Sequence, residues 1–124
     1  MNGSGLLVSN EVISSRNKVL QQNIAKWGFA NSIVTQNDSS DFSKAGELFD
    51  VIVVDAPCSG EGLFRRDPNA ANEWSETAVT ACSVRQHEIL DNIHLALKPG
   101  GYLIYSTCTF ETAENERQVE RLIS

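Results

Sequence analysis

The run Phe49-Asp50-Val51-Ile52-Val53-Val54-Asp55 constrains this chain more than any other segment. It is apolar and β-branched with no regular polar alternation, which suits a central strand of a parallel sheet covered on both faces. Parallel neighbours cannot be joined by a hairpin and need a crossover, usually a helix. A second apolar run, "YLIYST" from Tyr102, lies downstream. Between the two, Cys82, Ile89, Ile93 and Leu97 recur on one stripe, predicting a long helix over Ser75 to Leu97 that "KPGG" stops. Lys98 there reads as a cation at the carbonyl end of the helix dipole. Upstream, Gly5 to Asn10 and "NSIVTQND" read as short strands. They flank a helix over Ser14 to Trp27, with Arg16, Leu20, Ile24 and Trp27 at helical spacing and Gly28 where a helix C-terminus favours glycine. A loop containing Pro68 precedes the long helix, and a last helix over Ala113 to Ile123 has Val119, Leu122 and Ile123 as its apolar side. The whole is an α/β pattern with a parallel sheet.

Composition narrows the class. With 124 residues there is material for one domain, and 41% apolar with 21% charged residues is ordinary for a globular protein. A formal charge of -6 opposes a self-sufficient nucleic-acid binder, which carries a basic face. No run is long enough to span a bilayer and no charged-then-apolar export pattern is present, so no membrane association is expected. Three cysteines without a CxxC spacing argue against a disulfide framework and for a reducing cytoplasm. His87 and His94 stand seven apart with no ligand spacing around them, so no metal is expected.

Ligands of such sheets bind at the C-terminal ends of strands. Glu11, Asp38, Asp55 and Cys108 all fall there. Each acid alone also suits a turn or helix cap. A carboxylate accepts from two adjacent hydroxyls, as in ribose recognition, and Glu11 fits that role. Cys82, on the apolar stripe, reads as a small buried hydrophobe. Cys58 and Cys108 instead lie in strand-end loops among hydroxyls, where a thiol can be reached and ionised. A redox pair would use both cysteines but leave the acids unexplained, whereas nucleophilic catalysis by a thiolate with an acid nearby uses both.

"DAPCSGEG" (from Asp55) and "YSTCTF" (from Tyr105) together resemble two motifs of the S-adenosylmethionine-dependent RNA cytosine-5 methyltransferases of the Nol1/Nop2/Sun group. The resemblance runs along the whole chain: "LLVSNEVISSR" is similar to the family's second-strand motif, "VTQNDSSDF" to its third, and "LKPGGYLIYSTCTFETAENE" to the run through the nucleophile. "GLFRRDPNAANEWSE" is nearest to the bacterial ribosomal-RNA branch. It implies a Rossmann-like class I methyltransferase fold, S-adenosylmethionine as cofactor and RNA, here ribosomal RNA, as substrate. By resemblance Cys108 attacks carbon 6 of cytosine and Cys58 assists release of the adduct. Glu11 would hold the cofactor's ribose and Asp38 its adenine. Asp55 would contact the methionyl end or the base, and Pro57 would shape the turn presenting Cys58. DNA cytosine methyltransferases use the Pro-Cys cysteine as nucleophile, so the presence of both cysteines favours RNA. Arg65 and Arg66 are the local basic feature available to phosphate, although surface arginines are commonly just solvated.

Against the family pattern, residues 1–124 correspond to part of a catalytic domain, from the second strand to the helix after the nucleophile. "MNGSG" resembles the interior of a longer protein. The first strand with its glycine-rich cofactor loop, the last strands and the RNA-binding regions are expected to lie outside, leaving the sheet without its middle strand. Three alternatives stay open: a tRNA cytosine-5 methyltransferase, a nicotinamide-dependent oxidoreductase, and a non-catalytic assembly module of the same fold.

Overall fold

The computed structural model describes residues 4–67 and 69–124; the loop proline Pro68 and the first three residues of "MNGSG" lie outside this range. The chain divides into two compact units, residues 1–38 and 39–124.

The first unit is a βαβ element. Strand β1 (Leu7–Asn10) pairs in parallel with β2 (Ser32–Thr35), in the register Val8↔Ile33, and helix α1 (Ser14–Trp27) connects them. Gly28 ends α1 at φ 70°, the left-handed region where glycine has no Cβ penalty. The stripe read from sequence is not the buried one: Trp27 is exposed, and Asn17 is the wholly enclosed residue. Asn17 Nδ2 donates to Thr35 O at 2.6 Å and Glu11 O at 3.1 Å, tying the ends of both strands to the helix. Asn10 does the same from β1, its Oδ1 accepting from Thr35 Oγ1 and Asn37 N, both at 2.9 Å.

In the second unit β3 (Phe49–Asp55) pairs in parallel with β4 (Leu97–Ser106), in register from Val51↔Tyr102 to Asp55↔Ser106. Among the described residues three helices lie between β2 and β4 besides single 3-10 turns: α2 (Ser39–Ser43), α3 (Ala70–Glu73) and α4 (Glu76–Ile93); the last element is α5 (Glu116–Ile123). Ser75 caps α4, its Oγ accepting from Ala78 N at 3.1 Å. One face of the β3–β4 pair supplies Ile52, Val54, Leu103 and Tyr105 to a core closed by Leu90, Ile93 and Leu122.

Four expectations change. The long helix is shorter at its end, because residues 94–96 tighten into a 3-10 turn and Leu97 already begins β4. Lys98 is therefore a strand residue, and its Nζ pairs with Asp50 Oδ1 at 2.8 Å, holding that carboxyl below the usual carboxylate range. The last helix is split by a 3-10 turn at Thr112–Glu114, and its enclosed residue is Gln118, with Ile123 exposed. Most telling, β3 is covered on one face only: Val51, Val53, Tyr102 and Ile104 line the other face and are each more than half exposed. A strand built for burial on both faces, seen with one face open, is what a sheet lacking a layer presents. Among the described residues β1 pairs only with β2, β3 only with β4, and no helix is long and apolar enough to cross a membrane.

Candidate active site

Adjacent parallel strands ending in register deliver their loops to one place. Asp55 and Ser106 are register partners, so the loop after β3 (Ala56 to Gly60) and the loop after β4 (Thr107 to Phe110) leave the sheet side by side. Ala56 N donates to Ser106 O at 2.9 Å, and Gly62 N to Cys108 O at 2.7 Å, extending the ladder beyond the strands. At Gly62 an added Cβ would stand 2.6 Å from that same carbonyl oxygen, so only glycine allows the approach.

This brings the two loop cysteines together as free thiols with their sulfurs 3.0 Å apart. Cys108 N also donates to Cys58 Sγ at 3.3 Å. The Cys108 thiol is pushed up to about 11, first by its hydrogen bond with Cys58, then by burial and by the charges of Cys58 and Asp55. The hydrogen bond between the two sulfurs can run in either direction, and it favours the protonated form of Cys108. Cys82 is half-buried on α4 and its thiol is raised chiefly by that burial, in keeping with a packing role.

The expected site residues separate into two groups. In the second unit, Asp55 is exposed at the end of β3, with Oδ1 3.5 Å from Ser106 Oγ. Pro57 is exposed and its carbonyl accepts from Gln86 Nε2 at 2.8 Å, which fixes the turn before Cys58. Arg65 and Arg66 lie exposed on the turn after the Glu61–Leu63 3-10 helix. In the first unit, Glu11 directly follows β1, and Asp38 lies beyond the end of β2. Glu11 is already partly engaged: Oε1 accepts from Ile13 N at 2.9 Å and Oε2 pairs with Arg16 Nε at 3.0 Å. Each carboxylate oxygen has two acceptor sites, so capacity for a diol remains.

Sequence reasoning passed over several polar residues that shape the thiol loops. Glu61 and Glu114 bridge them, Gln86 reaches them from α4, and Asn115 gathers the Cys108 loop through Thr107 Oγ1 (2.7 Å), Thr109 O (3.1 Å) and Glu111 O (2.9 Å). Glu61 sits inside "DAPCSGEG" and Glu114 and Asn115 inside "ETAENE", so the motifs contained the signal. Gln86 gave a weaker one, a polar residue on the stripe of Val79, Leu90 and Ile93.

The Cys58 contribution can be isolated. Cys58→Ala is expected to bring the Cys108 thiol down towards the ordinary range. A lower value means more thiolate at pH 8, so alkylation of Cys108 by iodoacetamide should speed up about tenfold to a hundredfold. Peptide mass mapping reads the rate, and an unchanged one would assign the shift to burial instead.

The structure resembles solved methyltransferases over nearly its full length. It superposes on NSun6 from Pyrococcus horikoshii, solved with the S-adenosylmethionine analogue SFG, with a TM-score of 0.86 and 28% identity, covering 98% of this chain and 31% of that one. A methyltransferase homolog protein from Pyrococcus horikoshii gives a TM-score of 0.81 at 29% identity, covering 99% of this chain and 38% of that one. The fold is thus Rossmann-like and incomplete. Among curated relatives, the ribosomal RNA small subunit methyltransferase F of Serratia proteamaculans is 46% identical over 100% of this chain, and that of Shewanella loihica 47% over 94%. The chain spans only 26% and 24% of their respective lengths. A family model described as 16S rRNA methyltransferase RsmB/F matches residues 1–124 throughout, and the chain belongs to that family.

Proposed function

We propose that this chain carries the catalytic thiols and part of the cofactor site of an S-adenosylmethionine-dependent methyltransferase that modifies carbon 5 of cytosine in small-subunit ribosomal RNA. The observation that carries the reading is the pair of free thiols 3.0 Å apart at the ends of neighbouring parallel strands. Carbon 5 of cytosine is too poor a nucleophile to take a methyl group unaided. Addition of the Cys108 thiolate to carbon 6 would make carbon 5 enamine-like and able to take a methyl group, whose donor would leave as the neutral thioether S-adenosylhomocysteine. Loss of the carbon 5 proton then returns the electron pair, the carbon–sulfur bond breaks, and Cys108 leaves as thiolate.

Cys58, whose sulfur lies 3.0 Å from that of Cys108, assists release of the adduct in this scheme. Asp55, exposed at the end of β3, is suited to contact the base or the methionyl end of the cofactor. S-adenosylmethionine supplies an electrophilic methyl group. Glu11 and Asp38 suit its ribose and adenine, since both lie at strand C-termini and Glu11 is held in place by Ile13 N and Arg16. Arg65 and Arg66 are available to RNA phosphates. The rest of the RNA surface belongs to parts of the protein outside this chain, in keeping with its net charge of -6.

The test uses the intact protein with S-adenosylmethionine and RNA bearing 5-fluorocytosine at the target, where fluorine blocks the elimination. Cys58→Ser should trap the RNA covalently and Cys108→Ser should not. Trapping by Cys108→Ser but not by Cys58→Ser would reverse the assignment. Equal trapping of a transfer RNA and of small-subunit ribosomal RNA would remove the substrate part of the reading.

A further inference from the structure

The two thiol loops are cross-braced by acids that point in opposite directions. Glu61 starts just past the Cys58 loop and reaches the Cys108 loop, where its Oε2 accepts from Thr109 Oγ1 at 3.0 Å and from Phe110 N at 2.9 Å. Glu114 starts beyond the Cys108 loop and reaches back, its Oε2 accepting from Ser59 N at 3.0 Å and its Oε1 from Ser59 Oγ at 2.5 Å. Between them Ser59 Oγ and Thr109 Oγ1 are 3.0 Å apart. Each braced residue, Ser59 or Thr109, is the immediate neighbour of one of the thiols.

Two details argue that this brace serves geometry. Glu114 is wholly enclosed and no ion pair accompanies it among the described residues; a carboxylate in that setting depends on hydrogen bonds from every side. A core needing only stability is served as well by apolar side chains of similar volume. Gln86, also wholly enclosed, turns its amide nitrogen to Glu114 Oε2 and Pro57 O, both at 2.8 Å, so one amide ties the brace to the turn before Cys58.

We propose that Glu61 and Glu114 are positioning residues that set the separation and mutual aim of the Cys58 and Cys108 thiols, acting through Thr109, Phe110 and Ser59 without touching a substrate. The proposal deepens the methyltransferase reading by naming what holds its two sulfurs at working distance, and its test does not depend on methyl transfer.

The experiment measures the thiol–disulfide equilibrium of the pair in the intact protein with glutathione buffers. One glutathione disulfide oxidises the two cysteines, giving one Cys58–Cys108 disulfide and two glutathione thiols. The equilibrium constant reports the effective concentration of one protein thiol at the other. Glu61→Ala should lower it by about tenfold to a hundredfold, because effective concentration falls steeply once two groups lose their mutual orientation. Glu61→Gln should stay within about threefold of the unsubstituted protein, since one amide oxygen can accept both bonds now made to Oε2. Glu114→Ala should fall like Glu61→Ala.

A folded Glu61→Ala protein, with unchanged circular dichroism and a cooperative melt, whose constant stays within about twofold would overturn the proposal. So would a Glu61→Gln protein that falls as far as the alanine variant. If Glu114→Ala does not fold, the Glu61 pair decides the matter alone. Loss of covalent RNA trapping in the unsubstituted protein, with the thiol equilibrium still sensitive to Glu61, would sink the methyltransferase reading and leave this one standing.

Discussion

Gly62→Ala is expected to lower methyl transfer by the intact protein about a hundredfold or more, since small displacements of reacting groups carry losses of that order. The new Cβ would meet Cys108 O at 2.6 Å and its carbonyl carbon at 3.4 Å. That neighbour is backbone, so it cannot swing aside as a side chain would. Relief requires the loops to part, which breaks the 2.7 Å bond from Gly62 N to Cys108 O and moves Cys108, the proposed nucleophile. Gly62 is exposed and lies beyond the strand pairing, so the fold itself should survive with a modestly lower melting temperature. The measurement is kcat/KM on small-subunit ribosomal RNA beside a thermal melt. Activity within about threefold of the unsubstituted protein would show that the close approach does not set the position of Cys108.

Residues 1–124 expressed alone are expected to transfer methyl groups at least about a thousandfold more slowly than the intact protein, because positioning of both reactants is lost together. The chain spans about a quarter of the curated relatives it matches, with 26% and 24% for the two named above. Among the described residues each strand pair is a two-stranded sheet with unpaired edges, and the β3–β4 pair exposes Val51, Val53, Tyr102 and Ile104 on one face. Open edges and an uncovered apolar face favour self-association over a single fixed arrangement. The thiols themselves can remain correctly placed, because the brace around them lies within residues 39–124. Turnover within about tenfold of the intact protein, assayed side by side on unmodified ribosomal RNA, would overturn this expectation.

Much of the local structure was legible because it depends on neighbours in sequence. Helix α1 runs over Ser14–Trp27 and β3 over Phe49–Asp55, the bounds their residues suggest. Gly28 stops the first, and a β-branched run of this kind strongly favours the second. The short helix α2 was missed: five residues give no period to recognise. Burial was read less well. Periodicity identifies a face, but the face that is covered depends on what packs there, and Asn17, Gln86, Glu114 and Gln118 are enclosed where apolar residues were expected. Lys98 went wrong for the same reason, since its partner Asp50 is 48 residues away and is brought near only by strand pairing.

The thiols divide along the same line. The sequence by itself determined that Cys58 and Cys108 stand in loops just past two apolar strands, because the residue types that end a strand are local. Only the tertiary structure decided that their sulfurs come within 3.0 Å, that Glu61 and Glu114 cross between the loops, and that the Cys108 thiol is pushed up by its neighbour. The parallel register of Asp55 with Ser106 joins segments about fifty residues apart, and no local pattern specifies that alignment: it is chosen by which side chains of both strands and of α4 can share one core.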